Sequence, residues 1–174
     1  MSYFDFLLLA LIVGFGLFGL WFGLMHAVFS LVGTFVGLFF ASRFYEVLGN
    51  WLMGITGWSG NFSKVSMFII AFIFIAKLVS VFFWLIEKIL GLVINLPVIS
   101  GINHLLGGLF GLVEGVIIVG VCLFFIVRFP VGQNFMNKIN DSKVAPYTVK
   151  PIKILLPLIP DAVKYLQSTV KSVI

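Results

Sequence analysis

Charged residues are scarce in this chain, and their scarcity argues against a water-soluble protein. Asp, Glu, Lys and Arg make up only 10% of the 174 residues, whereas about 25% is usual in soluble domains. Residues 6–42 contain none of these four amino acids. A helix needs roughly 20 apolar residues to cross about 30 Å of hydrocarbon, so this run suits two crossings. The composition predicts an integral membrane protein.

Cysteine is almost absent, and the common metal-binding and catalytic patterns are missing as well. Cys122 is the single cysteine, so the chain forms neither an intramolecular disulfide nor a cysteine metal cluster. His26 and His104 stand far apart without carboxylate or cysteine companions at ligand spacing. No HExxH zinc motif or intramembrane aspartate pair occurs. We therefore predict no catalytic, cofactor or metal site and disfavour an intramembrane enzyme.

Hydrophobic segments of spanning length recur along the chain and predict an all-α, polytopic membrane fold. We predict transmembrane helices near residues 4–23, 27–45, 65–86 and 104–127. They form two hairpins within a domain over residues 1–130. A stretch rich in Gly, Asn, Ser and Trp, residues 46–64, predicts the loop between the hairpins. Residues 87–103 predict a second, more apolar turn at the membrane interface.

The C-terminal tail, residues 131–174, carries most of the net charge of +5. Its last part, residues 161–174, repeats apolar side chains at helical spacing opposite lysines, which predicts a basic amphipathic helix on the membrane. We expect Lys153, Lys164 and Lys171 to bind anionic lipids. Nucleic acid is not an expected partner, because the lysines are dispersed among apolar residues. Loop charge and an even number of spans predict that both termini are cytoplasmic.

Two charged residues interrupt the predicted third and fourth spans. Lys77 lies near the centre of the third and Glu114 near the centre of the fourth. A lone charge at this depth costs about 2.5–3.5 kcal/mol, so we expect both to face the bundle interior or a wet cavity. Three interpretations stay open. The residues form an ion pair that sets helix register, or Glu114 belongs to a proton or ion path. In the third, Lys77 snorkels towards one interface, or the two residues are neutral and have no role.

Small residues recur at every fourth position on three of the predicted helices, which lets helix backbones approach closely in a membrane. The glycines on these faces are Gly19, Gly23, Gly33, Gly37, Gly107, Gly111 and Gly115. They indicate either packing within one protomer or assembly into a homo-oligomer, and we favour packing within the protomer. Asp5 stands just before the first apolar run, where a carboxylate caps a helix and favours its positive end.

Four elements follow one another along the chain: Asp5 before the first span, LWFGLMHAVFSLVGTFVG at residues 20–37, INHLLGGLFGLVEGVIIV at 102–119, and DSKVAP at 141–146. Together they resemble the colicin V production protein family, and the likeness covers most of the chain. The resemblance implies a small bacterial inner-membrane protein with four spans. It also implies a requirement in colicin V production or export and a link to envelope homeostasis, with no enzymatic activity.

Two functions from different classes are consistent with these patterns. The first is a membrane scaffold or accessory factor, in which glycine faces dock helices, the basic tail holds the cytoplasmic leaflet and membrane proteins bind the loops or tail. The second is a subunit of a small oligomeric channel or transporter, in which Glu114 and Lys77 line a path between protomers. We favour the scaffold, because no site for chemistry stands out in the sequence.

Overall fold

A computed structural model of the chain describes residues 2–90, 100–129 and 131–155, with the side chains of all but 87, 89, 90, 100 and 153–155. Within these residues the chain forms helices α1 Tyr3–Phe22, α2 Leu24–Thr56, α3 Gly60–Leu90, α4 Ser100–Arg128, α5 Gln133–Asn140 and α6 Ala145–Leu155. The first four are long and apolar enough to cross a membrane. The predicted all-α, multi-pass membrane fold is confirmed.

The four long helices pack in the order α1, α4, α2, α3. α4 lies between α1 and α2, and α3 packs on α2, whereas α1 and α3 have little contact with each other. The helices of each predicted hairpin, α1 with α2 and α3 with α4, follow one another in the chain. Their main packing partners are different, because α1 packs mainly on α4 and α3 mainly on α2. α1 and α3 consequently flank a common surface that is made by α2 and α4.

Glycines allow the close approach of α1 and α4. A methyl group at Gly19 would collide with the carbonyl group of Gly107, and one at Gly111 would collide with the backbone of α1. A methyl group at Gly115 would lie 3.1 Å from the Cα atom of Ile12. These contacts place backbone against backbone, so the helices approach more closely than side chains would permit.

The contact between α2 and α3 uses the second glycine pair. A Cβ atom on Gly33 would lie 2.5 Å from the carbonyl oxygen of Ala76, and one on Gly37 would lie 2.8 Å from that of Phe72. Phe72 and its neighbour Phe68 are fully buried in the adjoining apolar core. The structure thus places the glycine faces of both helix pairs between helices of one protomer.

Gly23 makes the abrupt turn that joins α1 to α2. Its φ angle of +86° is one that side-chain-bearing residues rarely adopt. The amide of Leu24 donates a hydrogen bond to Asn103 Oδ1 at 3.2 Å, and His104 Nδ1 lies 2.8 Å from the carbonyl oxygen of Leu20. The start of α4 therefore holds the first turn in place, and His104 binds backbone there.

The predicted loop over residues 46–64 was wrong. This segment is helical apart from the turn at residues 57–59, where Gly57 ends α2 with a φ angle of +69°. Gly49 does not break the helix, because it is buried against Lys64 where α2 and α3 meet. The polar residues of this segment lie within α2 and at the start of α3, so their composition did not indicate where a helix ends. We call residues 46–64 the projecting hairpin.

The projecting hairpin extends past the end of α4. Tyr45 packs on Phe125 and Phe129, with ring centroids 5.0 and 5.5 Å apart, close to the end of α4 at Arg128. α2 continues through residues 46–56, which is about 16 Å of helix at 1.5 Å per residue. The full length of α2 is about 50 Å on the same scale, well beyond the hydrocarbon thickness of about 30 Å.

The described part of the C-terminal tail folds back onto the long helices as α5 and α6, which the sequence analysis did not predict. Ile152 on α6 is fully buried in a core with Val121 and Phe125 of α4, and the backbone of Thr148 lies against Gly120. Pro146 stands in the first turn of α6, where its missing N–H leaves no bond unmade. The domain boundary after residue 130 stays a prediction.

Other expectations fall on parts of the chain outside the described residues. They are the amphipathic helix at 161–174 with Lys164 and Lys171, the side chain of Lys153, and most of the turn at 87–103.

Candidate functional site

Glu114 lies at the interface of α2 and α4 and is only 4% exposed. Its Oε1 atom accepts a 2.6 Å hydrogen bond from Ser30 Oγ, and Thr34 Oγ1 lies 3.2 Å from the same oxygen. Thr34 Oγ1 also lies 3.0 Å from the carbonyl oxygen of Ser30, so its single proton is shared between two acceptors. The two hydroxyl groups satisfy one carboxylate oxygen inside the membrane domain.

The local sequence of α2 explains why both hydroxyl groups reach Glu114. Ser30 and Thr34 are four residues apart on one helix, and side chains at this spacing lie on the same face. The sequence analysis missed this cluster. The spacing of the two hydroxyl residues was the available signal, but the order in which helices pack was needed to show that α2 and α4 are neighbours.

Lys77 enters the same site from α3. Its Nζ atom lies 5.8 Å from the centroid of the Phe15 ring on α1, and it lines the same two cavities as Glu114. Between these two described side chains, no nitrogen to oxygen distance is within the 4.0 Å of a salt bridge. The structure brings the predicted pair into one site without a direct salt bridge.

The two cavities adjoin and form a groove between α1 and α3, with α2 and α4 as its floor. The first has a volume of about 390 Å³ and extends to His26, so we call it the His26 cavity. The second, of about 400 Å³, extends to Phe135 on α5 and is called the Phe135 cavity. Residues common to both are Leu11, Phe15, Ser30, Lys77 and Glu114. We call this groove the central groove. Its charged residues, Lys77 and Glu114, lie where the two cavities meet.

Asp5 is a second buried carboxylate and ties α1 to the start of α6. It is fully buried, and its Oδ1 atom accepts hydrogen bonds from Ser142 Oγ at 2.5 Å and from the amides of Lys143 and Val144 at 3.0 and 3.2 Å. Its Oδ2 atom accepts from the amide of Ser2 at 3.0 Å, which completes a capping box on α1. The predicted helix cap is confirmed.

Ser142 carries the connection on into α6. Its Oγ atom accepts hydrogen bonds from the amides of Val144 and Ala145 at 3.2 and 3.0 Å, which satisfies donors at the start of that helix. Leu8 and Ile12 on α1 pack in one apolar cluster with Ile139 and Ala145. We call the contacts between Asp5 and residues 142–144 the Asp5 clasp.

Metal-ligating side chains do not gather in the described residues: no group of at least three His, Cys, Asp or Glu side chains is placed to hold an ion there. The predicted absence of catalytic, cofactor and metal sites stays a prediction for the whole chain.

Comparison with known proteins gives a consistent result. The family described as "Colicin V production protein" matches residues 4–153. The chain is similar to the "Colicin V production protein" of Escherichia coli (strain K12), with 30% identity over 146 residues that cover 84% of this chain and 86% of that protein. No solved structure matches the chain. The matched region contains Asp5, Glu114 and Ser142, so the clasp and the polar cluster both lie within it.

Proposed function

Because the chain belongs to the colicin V production protein family, we propose that it is a membrane accessory protein that supports colicin V production or export by binding other membrane proteins. It acts as a scaffold of the cell envelope and performs no chemistry of its own. We place it in the inner membrane with both termini in the cytoplasm, a choice that the basic tail supports. Anionic lipids hold that tail at the cytoplasmic leaflet.

The observation that carries this proposal is an apolar stripe on the projecting hairpin. Val47, Trp51 and Ile55 are 68%, 61% and 65% exposed, and their spacing of four residues puts them on one face of α2. Gly49, which packs on α3, points the opposite way. Exposed apolar surfaces of this kind mark interaction sites, and this one stands beyond the end of α4.

The test is production of colicin V by cells in which variants replace the native chain. Trp51→Glu places a charge in the apolar stripe, and we expect it to reduce colicin V in the culture medium by about tenfold, as for the loss of an interface anchor worth about 1.4 kcal/mol. Asn50→Glu adds the same charge on the flank of α2 and is the matched control. Equal secretion by both variants, at equal membrane levels, would contradict the proposal.

A second candidate function is suggested by the meeting of the two cavities at Lys77 and Glu114. In a small channel or transporter assembled from several protomers, these residues would line the path. Flux of protons or ions into proteoliposomes of the purified protein, lost in Glu114→Gln at equal density, is the result that this function predicts. The absence of flux in the native protein would remove it and leave the accessory role.

A further inference from the structure

The central groove contains a positive charge that faces the membrane. Lys77 is exposed on α3, and none of the described side chains forms a salt bridge with its ammonium group. Its contact with the Phe15 ring, at 5.8 Å, is a weak cation–π interaction. An ammonium group near the centre of a spanning helix is costly without a partner. Glu114 lines the same cavities but forms no salt bridge with Lys77, so a ligand whose carboxyl group reaches the ammonium group at this depth is stabilised.

The Phe135 cavity lies next to this charge and is almost entirely apolar. Its walls come from α1, α3, α4 and α5, with Leu8, Ile73, Ile118, Leu123 and Phe135 among them. The volume of about 400 Å³ falls in the range of about 300–1,000 Å³ found for small-molecule sites. The cavity therefore suits a hydrocarbon chain.

We infer that the central groove binds a single-chain lipophilic carboxylic acid, such as a long-chain fatty acid. The carboxyl group lies between Lys77 and Glu114, and the hydrocarbon chain fills the Phe135 cavity. The ligand enters sideways from the bilayer, because α1 and α3 have little contact with each other along the groove. A phospholipid does not match this site, since its phosphate lies in the headgroup layer while Lys77 is near the middle of α3.

Glu114 is compatible with an acidic ligand in this position. Ser30 and Thr34 hold its Oε1 atom, and Glu114 remains part of the cavity lining. One proton shared between the ligand carboxyl group and Glu114 leaves a single negative charge on the two groups. The Lys77 ammonium balances that charge, so the occupied site is neutral.

The experiment is photolabelling of the full chain in nanodiscs of phosphatidylcholine. The probe is palmitic acid with a diazirine in mid-chain, and the comparison probe is the alcohol with the same chain and diazirine. We expect the acid to label the walls of the Phe135 cavity, for example Ile118 and Leu123, and unlabelled palmitic acid to suppress this labelling. The alcohol, which lacks the charge, should label the cavity about tenfold less.

Variants at position 77 separate charge recognition from apolar contact. Lys77→Met should lower labelling of the cavity by about tenfold, whereas Lys77→Arg, which keeps the positive charge, should retain it. Lys88→Met removes an exposed lysine from the same helix near Trp84 and should label like the native chain. Size-exclusion elution confirms that each variant is folded. If Lys77→Met does not fold, the comparison of acid with alcohol on the native chain still decides.

Equal labelling of the cavity by acid and alcohol would overturn the inference, and so would full labelling of a folded Lys77→Met variant. Either result would mean that ordinary bilayer chains fill the groove. The measurement uses purified protein and does not involve colicin V, so its failure is distinguishable from failure of the proposed accessory function.

Discussion

Asp5 connects the beginning of the chain to a segment more than 130 residues later. Its carboxylate accepts hydrogen bonds from Ser2 at the start of the chain and from residues 142–144. Hydrogen bonds to an ionised acceptor are stronger than those between neutral groups. Glu114 has a similar place between α2 and α4, with hydroxyl groups as its donors. Each carboxylate therefore stabilises a contact between elements that are distant in sequence.

The Asp5 clasp predicts how α6 is held. Asp5→Asn keeps only one acceptor oxygen for donors on both sides and removes the negative charge, so the clasp weakens and we expect α6 to detach more often. Trypsin should then cleave after Lys143 faster than in the native protein. Ser142→Ala removes the α6 cap, worth about 1 kcal/mol, and should raise cleavage about fivefold. Ser59→Ala, at an exposed turn, is the control. Unchanged cleavage in Asp5→Asn would refute the clasp.

The bonds to Glu114 predict an order of stability. Ser30→Ala leaves the carboxylate without its 2.6 Å donor and should lower the free energy of unfolding by about 1–3 kcal/mol. Thr34→Val should cost less, because the Thr34 proton is shared with the Ser30 carbonyl oxygen. Thermal unfolding of the detergent-solubilised variants measures both. A larger loss in Thr34→Val would contradict the assigned geometry.

Among the elements, the contact between α1 and α4 depends most on glycine. Gly19 and Gly107 face each other with backbone against backbone, and Gly111 continues the same contact. Backbone atoms do not move aside as the end of a flexible side chain would. Gly14, also on α1, has no atom within 4 Å of the position that a Cβ would take. The same helix thus offers a sensitive and an insensitive glycine.

We expect Gly19→Ala to lower the free energy of unfolding by about 1–3 kcal/mol, the usual cost of overpacking. Gly14→Ala should be close to neutral or slightly stabilising, because alanine is the better helix former. Thermal melts of the two variants in the same detergent give the comparison. If Gly14→Ala were as destabilising as Gly19→Ala, the loss would come from helix composition and the close approach would lose its support.

The long apolar runs allowed the four spans to be predicted, because a span depends only on local hydropathy and length. The glycine spacing likewise pointed to close helix approach. The clasp between Asp5 and Ser142 was not predictable, since it depends on where α6 returns to the bundle. The loop prediction at 46–64 failed because Gly49 serves tertiary packing, whereas Gly57, which composition does not distinguish from it, ends the helix.

At the scale of the whole molecule, the packing order of the helices produces two distinct surfaces. The central groove lies between α1 and α3 and places Lys77 and Glu114 in one site. The projecting hairpin extends past α4 on the side where α1 begins and α6 packs. In the two proposals, the central groove faces the lipid and binds a fatty acid, and the projecting hairpin binds a partner protein. The same four helices form both surfaces.

Cysteine labelling shows whether the projecting hairpin is exposed in the isolated protein and covered by a partner protein in cells. Ile55→Cys in a Cys122→Ser background is treated with a membrane-impermeant maleimide. Val13→Cys, exposed midway along α1, is the control for a lipid-facing position. We expect residue 55 to be labelled in proteoliposomes of the purified protein and to be protected in inverted membrane vesicles from colicin V-producing cells. Residue 13 should be labelled in neither preparation. Equal labelling of residue 55 in both preparations, or none in proteoliposomes, would contradict the proposed accessory function.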